Sequence, residues 1–248
     1  MSDFVIVIPS RYASNRLPGK PLREINGKTM LQHVYERAQE SSAREIVIAT
    51  DDERIAEVAE KFTTQVCMTG NQHRSGTERI AEVCDLMDWQ DDKIIVNLQG
   101  DEPTMPASLI DQCAALLQES TADIATLASP IASQEDFENP NVVKVVLADS
   151  GNAIYFSRAT IPYPRVGDRQ DAARSAALHH HGIYAYRCGV LRALVAAKPS
   201  DLEVCEQLEQ LRALALGMTI RVAIPKVRPG AGVDTEDDLA AAAEQLAH

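Results

Sequence analysis

At 248 residues, 45% of them hydrophobic and 24% charged, the chain can bury one large core and has the composition of a globular protein rather than a disordered or fibrous one. Its net charge of −12 excludes a nucleic-acid partner held by general phosphate neutralisation, although a local cluster of Arg and Lys can still make a positive cleft for a small anion. No apolar stretch approaches the roughly 20 residues of a membrane span, and Asp3 stands directly before the first apolar run with no basic leader, so neither membrane insertion nor export is expected.

In chain order, Phe4 to Ile8 is a continuous, largely β-branched run, the pattern of a strand buried on both faces of a parallel sheet. Similar runs recur at Ile46–Ile48, Ile94–Val96 and Val142–Val146. Helical periodicity separates several of them, at Met30–Gln39, Arg54–Lys61 and Ser108–Gln118. This alternation predicts an α/β fold, a single domain with a mixed, mostly parallel sheet and flanking helices. Residues 150–185 break the rhythm: Ile161-Pro162-Tyr163-Pro164 cannot lie inside a helix, and Val166–Ala176 is polar, so this stretch is read as an insertion. Beyond it, Leu202–Leu216 carries apolar residues at helical spacing, Ile220–Ile224 reads as a strand, and Thr235–Leu246 as a closing helix with a Thr235/Asp238 capping box. The five scattered cysteines form no CxxC and are expected to be reduced thiols of a cytoplasmic protein.

Ligands of open α/β sheets bind beyond the carboxyl ends of the strands, which directs attention to the segments following the strands. After the first strand, Arg11, Arg16 and Lys20 put three cations into one loop, with Gly19 permitting close backbone approach. The loop suits a polyphosphate, but it is neither a Walker A nor a GxGxxG sequence, and residue types alone also allow a solvated basic loop. Asn97-Leu98-Gln99-Gly100-Asp101-Glu102-Pro103 follows the Ile94 run; Asp101 is placed to hold a hard cation, and Asp234, just before the last helix, is a second carboxylate. Each serves equally as a turn or helix-start residue. His73–Arg79 combines small hydroxyl residues and a glycine that fit a base or ribose, or simply a helix N-terminus. His179-His180-His181 alternate faces on an extended chain, which argues against a three-histidine zinc site. One of them, or Arg158, is suited to an anionic substrate, and the polar residues of Leu202–Arg212 read as the solvated side of an amphipathic helix.

The stretches IPSRYASNRLPGKPL, ATDDERI, HRSGTERIAEV, NLQGDEP, NPNVVKVV, YFSRATIPY, HHHGIYAYR, LEQLRAL and GVDTEDDL, in this order, resemble the CMP-KDO synthetases, the cytidylyltransferases of 3-deoxy-manno-octulosonate (KDO) in lipopolysaccharide biosynthesis. The resemblance covers nearly the whole chain. It implies a nucleotide-diphospho-sugar transferase fold, a homodimer with the inserted segment near 150–185 at the dimer contact, and a Mg²⁺-dependent reaction of CTP with an acidic eight-carbon sugar. By motif position it implies nucleotide contacts at Arg11, Ser14, Lys20, Arg74 and Gln99. Asp101 and Asp234 match the metal carboxylates; with Lys20 they form the expected catalytic set. Arg158, His180, Tyr184, Glu209 and Gln210 match the sugar-binding positions. Ser10, Asn15 and His181 depart from residues common in the family, without removing an expected charge or ligand. A cytidylyltransferase for an amino-KDO or sialic acid, or a non-catalytic nucleotide-binding module, are the rival readings.

Overall fold

The computed structural model describes residues 3–13, 17–165, 169–230 and 232–247. Its centre is a nine-stranded sheet whose main path contains, from one edge to the other, β11 (Ile220–Ala223), β7 (Ile124–Pro130), β10 (Ala177–Arg187), β6 (Ile94–Asn97), β1 (Phe4–Ser10), β4 (Glu45–Thr50) and β5 (Val66–Met68). β1 pairs in parallel with β4 and β6, β4 with β5, and β7 with β11, while β10 runs antiparallel to both β6 and β7. β8 (Lys144–Leu147) and β9 (Ala153–Ser157) extend the sheet from the start of β10; β2 (Glu24–Ile25) and β3 (Lys28–Thr29) form a separate hairpin, and the short α5 (Gln134–Glu138) precedes β8.

Every residue of β1 is buried, and its two faces feed different cores. Val5 and Val7 pack with Ile80, Val83, Leu191 and Leu211, which come from α3 (Gly76–Leu86), α7 (Cys188–Ala196) and α9 (Gln210–Ala215). Phe4, Ile6 and Ile8 pack with Leu31, Val34, Ile55, Leu109 and Ile110 from α1 (Met30–Gln39), α2 (Glu53–Ala59) and α4 (Ala107–Gln118). Period-two alternation with both sets apolar is what a helix-covered central strand requires. The result is a three-layer α/β sandwich.

A smaller core explains how the C-terminus reaches the sheet's carboxyl edge. Leu239, Ala242 and Ala243 of α10 (Glu236–Gln245) pack with Leu17, Ile25 and Met30, and Val233 joins them. The capping box at Thr235 and Asp238 is formed as read, so α10 starts immediately after Asp234.

Two stretches gain detail. Residues 150–185, read as an insertion, include β9, α6 (Gln170–Ala176) and most of β10, which lies between β6 and β7. The three histidines obscured a strand whose apolar half, Ile183–Tyr186, is buried. Leu202–Leu216 is not one helix but α8 (Asp201–Glu206) and α9, divided at Gln207, which adopts left-handed φ 53. Leu208 and Leu211 stay buried across the break, so the apolar spacing survives it.

Candidate active site

The chain leaves β1 for β4 on one side and returns to β6 on the other, so the strand order reverses at β1, the place where open sheets bind ligands. A crevice of about 750 Å³ opens there. Its lining includes Arg11, Lys20, Arg74, Gln99, Asp101, His180, Tyr184, Glu209, Gln210 and Asp234, gathered from six separate stretches of chain. Ser14 and Arg16 lie outside the described residues. Arg158 is not among the lining residues: its guanidinium donates from Nε to the Glu206 carbonyl at 2.8 Å and from Nη1 to the Pro140 carbonyl at 3.1 Å.

Close approach builds the floor. A Cβ on Gly100 would stand 2.9 Å from Ser10 Oγ and 3.1 Å from the Pro9 carbonyl, so a side chain there would force the β6 loop away from β1. On the other side Gly19 has φ 65, and a Cβ would meet the Tyr12 ring at 3.3 Å. The Arg54 guanidinium sits 3.4 Å from the centroid of that ring, and Arg54 is itself paired with Asp52 at 2.6 Å. This stack holds the two described flanks of the loop after β1 together, while Ser75, which caps α3 by accepting from Glu78 N, brings that helix's N-terminus with Gly76 and Thr77 to the crevice wall. Unpaired N–H groups at a helix start favour an anion.

The electrostatic centre is Lys20. The residue is 8% exposed, and its Nζ donates to Asp101 Oδ2 at 2.6 Å and to Asp234 Oδ1 at 2.8 Å. Val233 N donates to the Asp101 carbonyl at 2.8 Å, which ties the backbone of one carboxylate to the chain carrying the other. Two carboxylates thus converge on one small cation. Neighbouring Glu102 does not add a third negative charge at neutral pH: burial, together with the charge of Asp101, pushes its carboxyl up to about 8. Among the described residues no group of three or more His, Cys, Asp or Glu forms a metal cage. Two carboxylates at one end of the crevice are a pair that could hold a hard cation such as Mg²⁺, which needs only one or two protein carboxylates beside phosphate and water.

The rest of the lining is polar, with Glu209 adding a carboxylate beside His180, Tyr184 and Gln210. His179 and His181 lie on one face of β10 with ring centroids 4.9 Å apart, while His180 packs on the other, 5.1 Å from both Phe156 and Tyr184. Of the three, His180 alone lines the crevice. Its Nε2 is 3.1 Å from Thr126 Oγ1, which lies 2.7 Å from the Ile183 carbonyl. A carbonyl only accepts, so the single hydroxyl proton is used there, Nε2 is the donor to Thr126, and Nδ1 is left as an acceptor. Burial, aided by the flanking histidines, lowers the His180 pKa to about 3 and that of His181 to about 4. Tyr184 Oη and Gln210 Nε2 are buried without a protein partner on this side.

These neutral imidazoles set an acid limit. As pH falls below 6.5 the unfolded chain takes up protons that the native His180 refuses until about 3, so its contribution to stability is lost in that window. Glu102 acts in the opposite sense over the same range, because the native state keeps a proton that the unfolded chain releases. The clean readout is therefore a difference: between pH 7 and 5 the wild type should lose about 2 kcal/mol relative to His180→Asn. Urea unfolding at the two pH values checks this; a gap that does not change with pH removes the buried neutral imidazole.

Residue patterns missed several supports of the site. Arg79, 3% exposed, pairs with Asp51 at 3.2 Å and hydrogen-bonds Thr69, fixing the loop after β4 to α3. Glu206 Oε1 accepts from Ser157 Oγ at 2.6 Å and Oε2 from Arg158 N at 2.8 Å. Glu203 and Arg212, read as solvated, are a buried ion pair. In a single sequence, charge at helical spacing gives no signal that it faces inward.

A family model described as cytidylyltransferase matches residues 5–220. Among solved structures, a CMP:2-keto-3-deoxy-manno-octonic acid synthetase complexed with CTP is 41% identical over 99% of both chains, with a TM-score of 0.90. A cytidylyltransferase from Leptospira borgpetersenii serovar Hardjo-bovis is 17% identical over 96% of this chain and 83% of its own, at a TM-score of 0.60. A 4-diphosphocytidyl-2C-methyl-D-erythritol synthase is 17% identical over 99% of this chain and 100% of its own, at 0.66. The last two share the fold alone.

Proposed function

The chain belongs to the cytidylyltransferase family, and we infer that it transfers CMP from CTP to the anomeric hydroxyl of 3-deoxy-D-manno-octulosonate, giving CMP-KDO and pyrophosphate for lipopolysaccharide biosynthesis. The observation that carries this reading is the crevice itself, a cationic and acidic wall around Lys20, Asp101 and Asp234 facing the neutral polar wall of His180 and Tyr184.

Charge is the main obstacle to the reaction, since CTP and the sugar carboxylate are both anionic. Arg11, Lys20, Arg74 and the N-terminus of α3 neutralise and orient the triphosphate, with Gln99 as a further nucleotide contact; Ser14 joins this set by motif position alone. Asp101 and Asp234 would hold Mg²⁺, which would withdraw charge from the phosphate oxygens and ease deprotonation of the attacking hydroxyl. Asp234 assists removal of that proton. The sugar lies against His180, Tyr184, Glu209 and Gln210. Its hydroxyls fill the donor and acceptor capacity left open at Tyr184 Oη and Gln210 Nε2 and at the Nδ1 acceptor of His180. A neutral imidazole suits a hydroxyl, which leaves the sugar carboxylate to a cation; Arg158 reaches it by exchanging its two backbone carbonyls for the substrate. The anomeric oxygen then attacks the α-phosphorus in line with the departing pyrophosphate.

The enzyme works as a cytoplasmic homodimer. Among the described residues no helix is long and apolar enough to cross a membrane. Ile154, 59% exposed, and Tyr163, 83% exposed, give the segment at 150–185 an apolar surface suited to a second copy. Identification of CMP-KDO by mass spectrometry after incubation with CTP, KDO and Mg²⁺ tests the reaction. An excess of EDTA should abolish product and restored Mg²⁺ should recover it; full activity in EDTA would remove the metal from the scheme.

A further inference from the structure

We propose that the buried Glu203–Arg212 ion pair is a positioning device for the sugar half of the crevice, setting the corner between α8 and α9 from which Glu209 and Gln210 are presented. The proposal rests on the reading of Glu209 and Gln210 as sugar contacts. The corner turns at Gln207, a residue with a Cβ held in the left-handed region at φ 53 and ψ 47. That conformation persists in non-glycine residues only where surrounding structure imposes it. Gln207 contributes a backbone N–H to the Glu203 carbonyl and its own Nε2 to the Val204 carbonyl, both at 2.8 Å.

The ion pair spans this turn. Arg212 of α9 donates from Nη2 and Nε to the two carboxylate oxygens of Glu203 in α8, at 2.5 and 2.7 Å. Its Nη1 donates to the Leu194 carbonyl at 3.0 Å, anchoring the corner to α7. Both residues are less than a tenth exposed, at 8% and 9%. A planar, bidentate fork fixes the angle between the two helices in a way that a point charge does not. Glu203 also accepts from Ser200 N at 3.3 Å in the capping box of α8, so one carboxylate serves the start of α8 and its junction with α9.

What the pair holds in place is functional surface. Gln207, Glu209 and Gln210 line the crevice, and Gln210 Nε2 is a buried donor without a protein partner. Arg212 lies behind them and does not line the crevice; it lines a separate cavity of about 20 Å³, room for about one water, shared with Ser75, Glu209 and Gln210. Loss of the fork gives the corner space to relax into that cavity, drawing Glu209 and Gln210 away from the sugar. The nucleotide contacts at Arg11, Lys20 and Gln99 stand on β1, β6 and the loops after them, which the corner does not carry.

Removing one partner alone leaves a buried charge and invites unfolding, so the test removes both, as Glu203→Met with Arg212→Met, beside the charge-conserving Arg212→Lys. The wild type is first assayed with CTP, KDO and Mg²⁺; absence of turnover overturns the function reading on which the proposal rests. With turnover established, the double variant should raise KM for the sugar by about tenfold or more while KM for CTP stays within about twofold. Arg212→Lys, keeping the charge but losing the fork, should fall between it and the wild type, and carries the test alone if the double variant does not fold. Wild-type sugar KM in these variants, or equal shifts in both KM values, would overturn the positioning role while leaving the activity intact.

Discussion

Asp101→Asn is expected to lower kcat by about a hundredfold to a thousandfold while metal-free CTP affinity stays within about threefold. The substitution keeps the size of the side chain and leaves untouched the backbone hydrogen bond from Val233 N to the residue 101 carbonyl, so the loop and α10 remain docked. What changes is charge. Asp101 and Asp234 are the two carboxylates that accept from Lys20, and the substitution removes the charge of one of them from the pair a hard cation would meet. Steady-state pyrophosphate release, with calorimetry of CTP in EDTA beside it, separates the two effects. An Asp101→Asn enzyme of wild-type kcat would remove the carboxylate pair from catalysis.

Lys20→Met should cost turnover about as much, a hundredfold or more, and should also weaken CTP binding by about tenfold. The ammonium has two tasks in this geometry. Without substrate it neutralises two converging carboxylates, both less than 3 Å away. On the proposed reading it would also meet the triphosphate from the same position. Methionine fills a comparable volume but leaves Asp101 and Asp234 opposed without a fixed cation, so the folded state should also be less stable at neutral pH and recover with Mg²⁺. Thermal unfolding with and without Mg²⁺ detects this; a variant with unchanged kcat and CTP affinity would mean that Lys20 is only a structural ion-pair partner.

The two variants bear on why an acidic protein binds two anions. The chain as a whole carries −12, whereas the crevice sets Arg11, Lys20, Arg74 and Arg79 and the start of α3 against Asp101, Asp234 and Glu209. Local potential in a low-dielectric cleft outweighs net charge at longer range, where salt screens it.

Elements whose signal is local were legible in the sequence. α1 occupies Met30–Gln39 as its periodicity indicates, β1 contains the Phe4–Ile8 run, and the capping box places the start of α10. The loop cations and carboxylates were also readable as candidates, because strand ends and residue chemistry identify them without knowledge of the partners. What brings Asp234 to Asp101 was not readable: it depends on α10 packing against Leu17, Ile25 and Met30, more than 200 residues away in sequence. β10 was hidden because the face it turns to the crevice carries His180, Gly182 and Tyr184, which lack the apolar alternation of a strand packed on both sides. Gln207 gave no sign of a helix break, since left-handed turns are announced by glycine or asparagine and this one is imposed by tertiary contacts. Arg158 fits its motif, yet its guanidinium donates to the Glu206 and Pro140 carbonyls, a detail of side-chain placement that no residue pattern encodes.

The most direct measurement is pyrophosphate release with Mg²⁺ across a matrix of nucleotides and acidic sugars: CTP, UTP, ATP and GTP, each with KDO, its amino derivative and a sialic acid. Sustained release with CTP and KDO, and little with the other nucleotides or with sialic acid, is the result this crevice predicts. Release that is absent with CTP and KDO, or that is faster with another nucleotide or sugar acid, would contradict it.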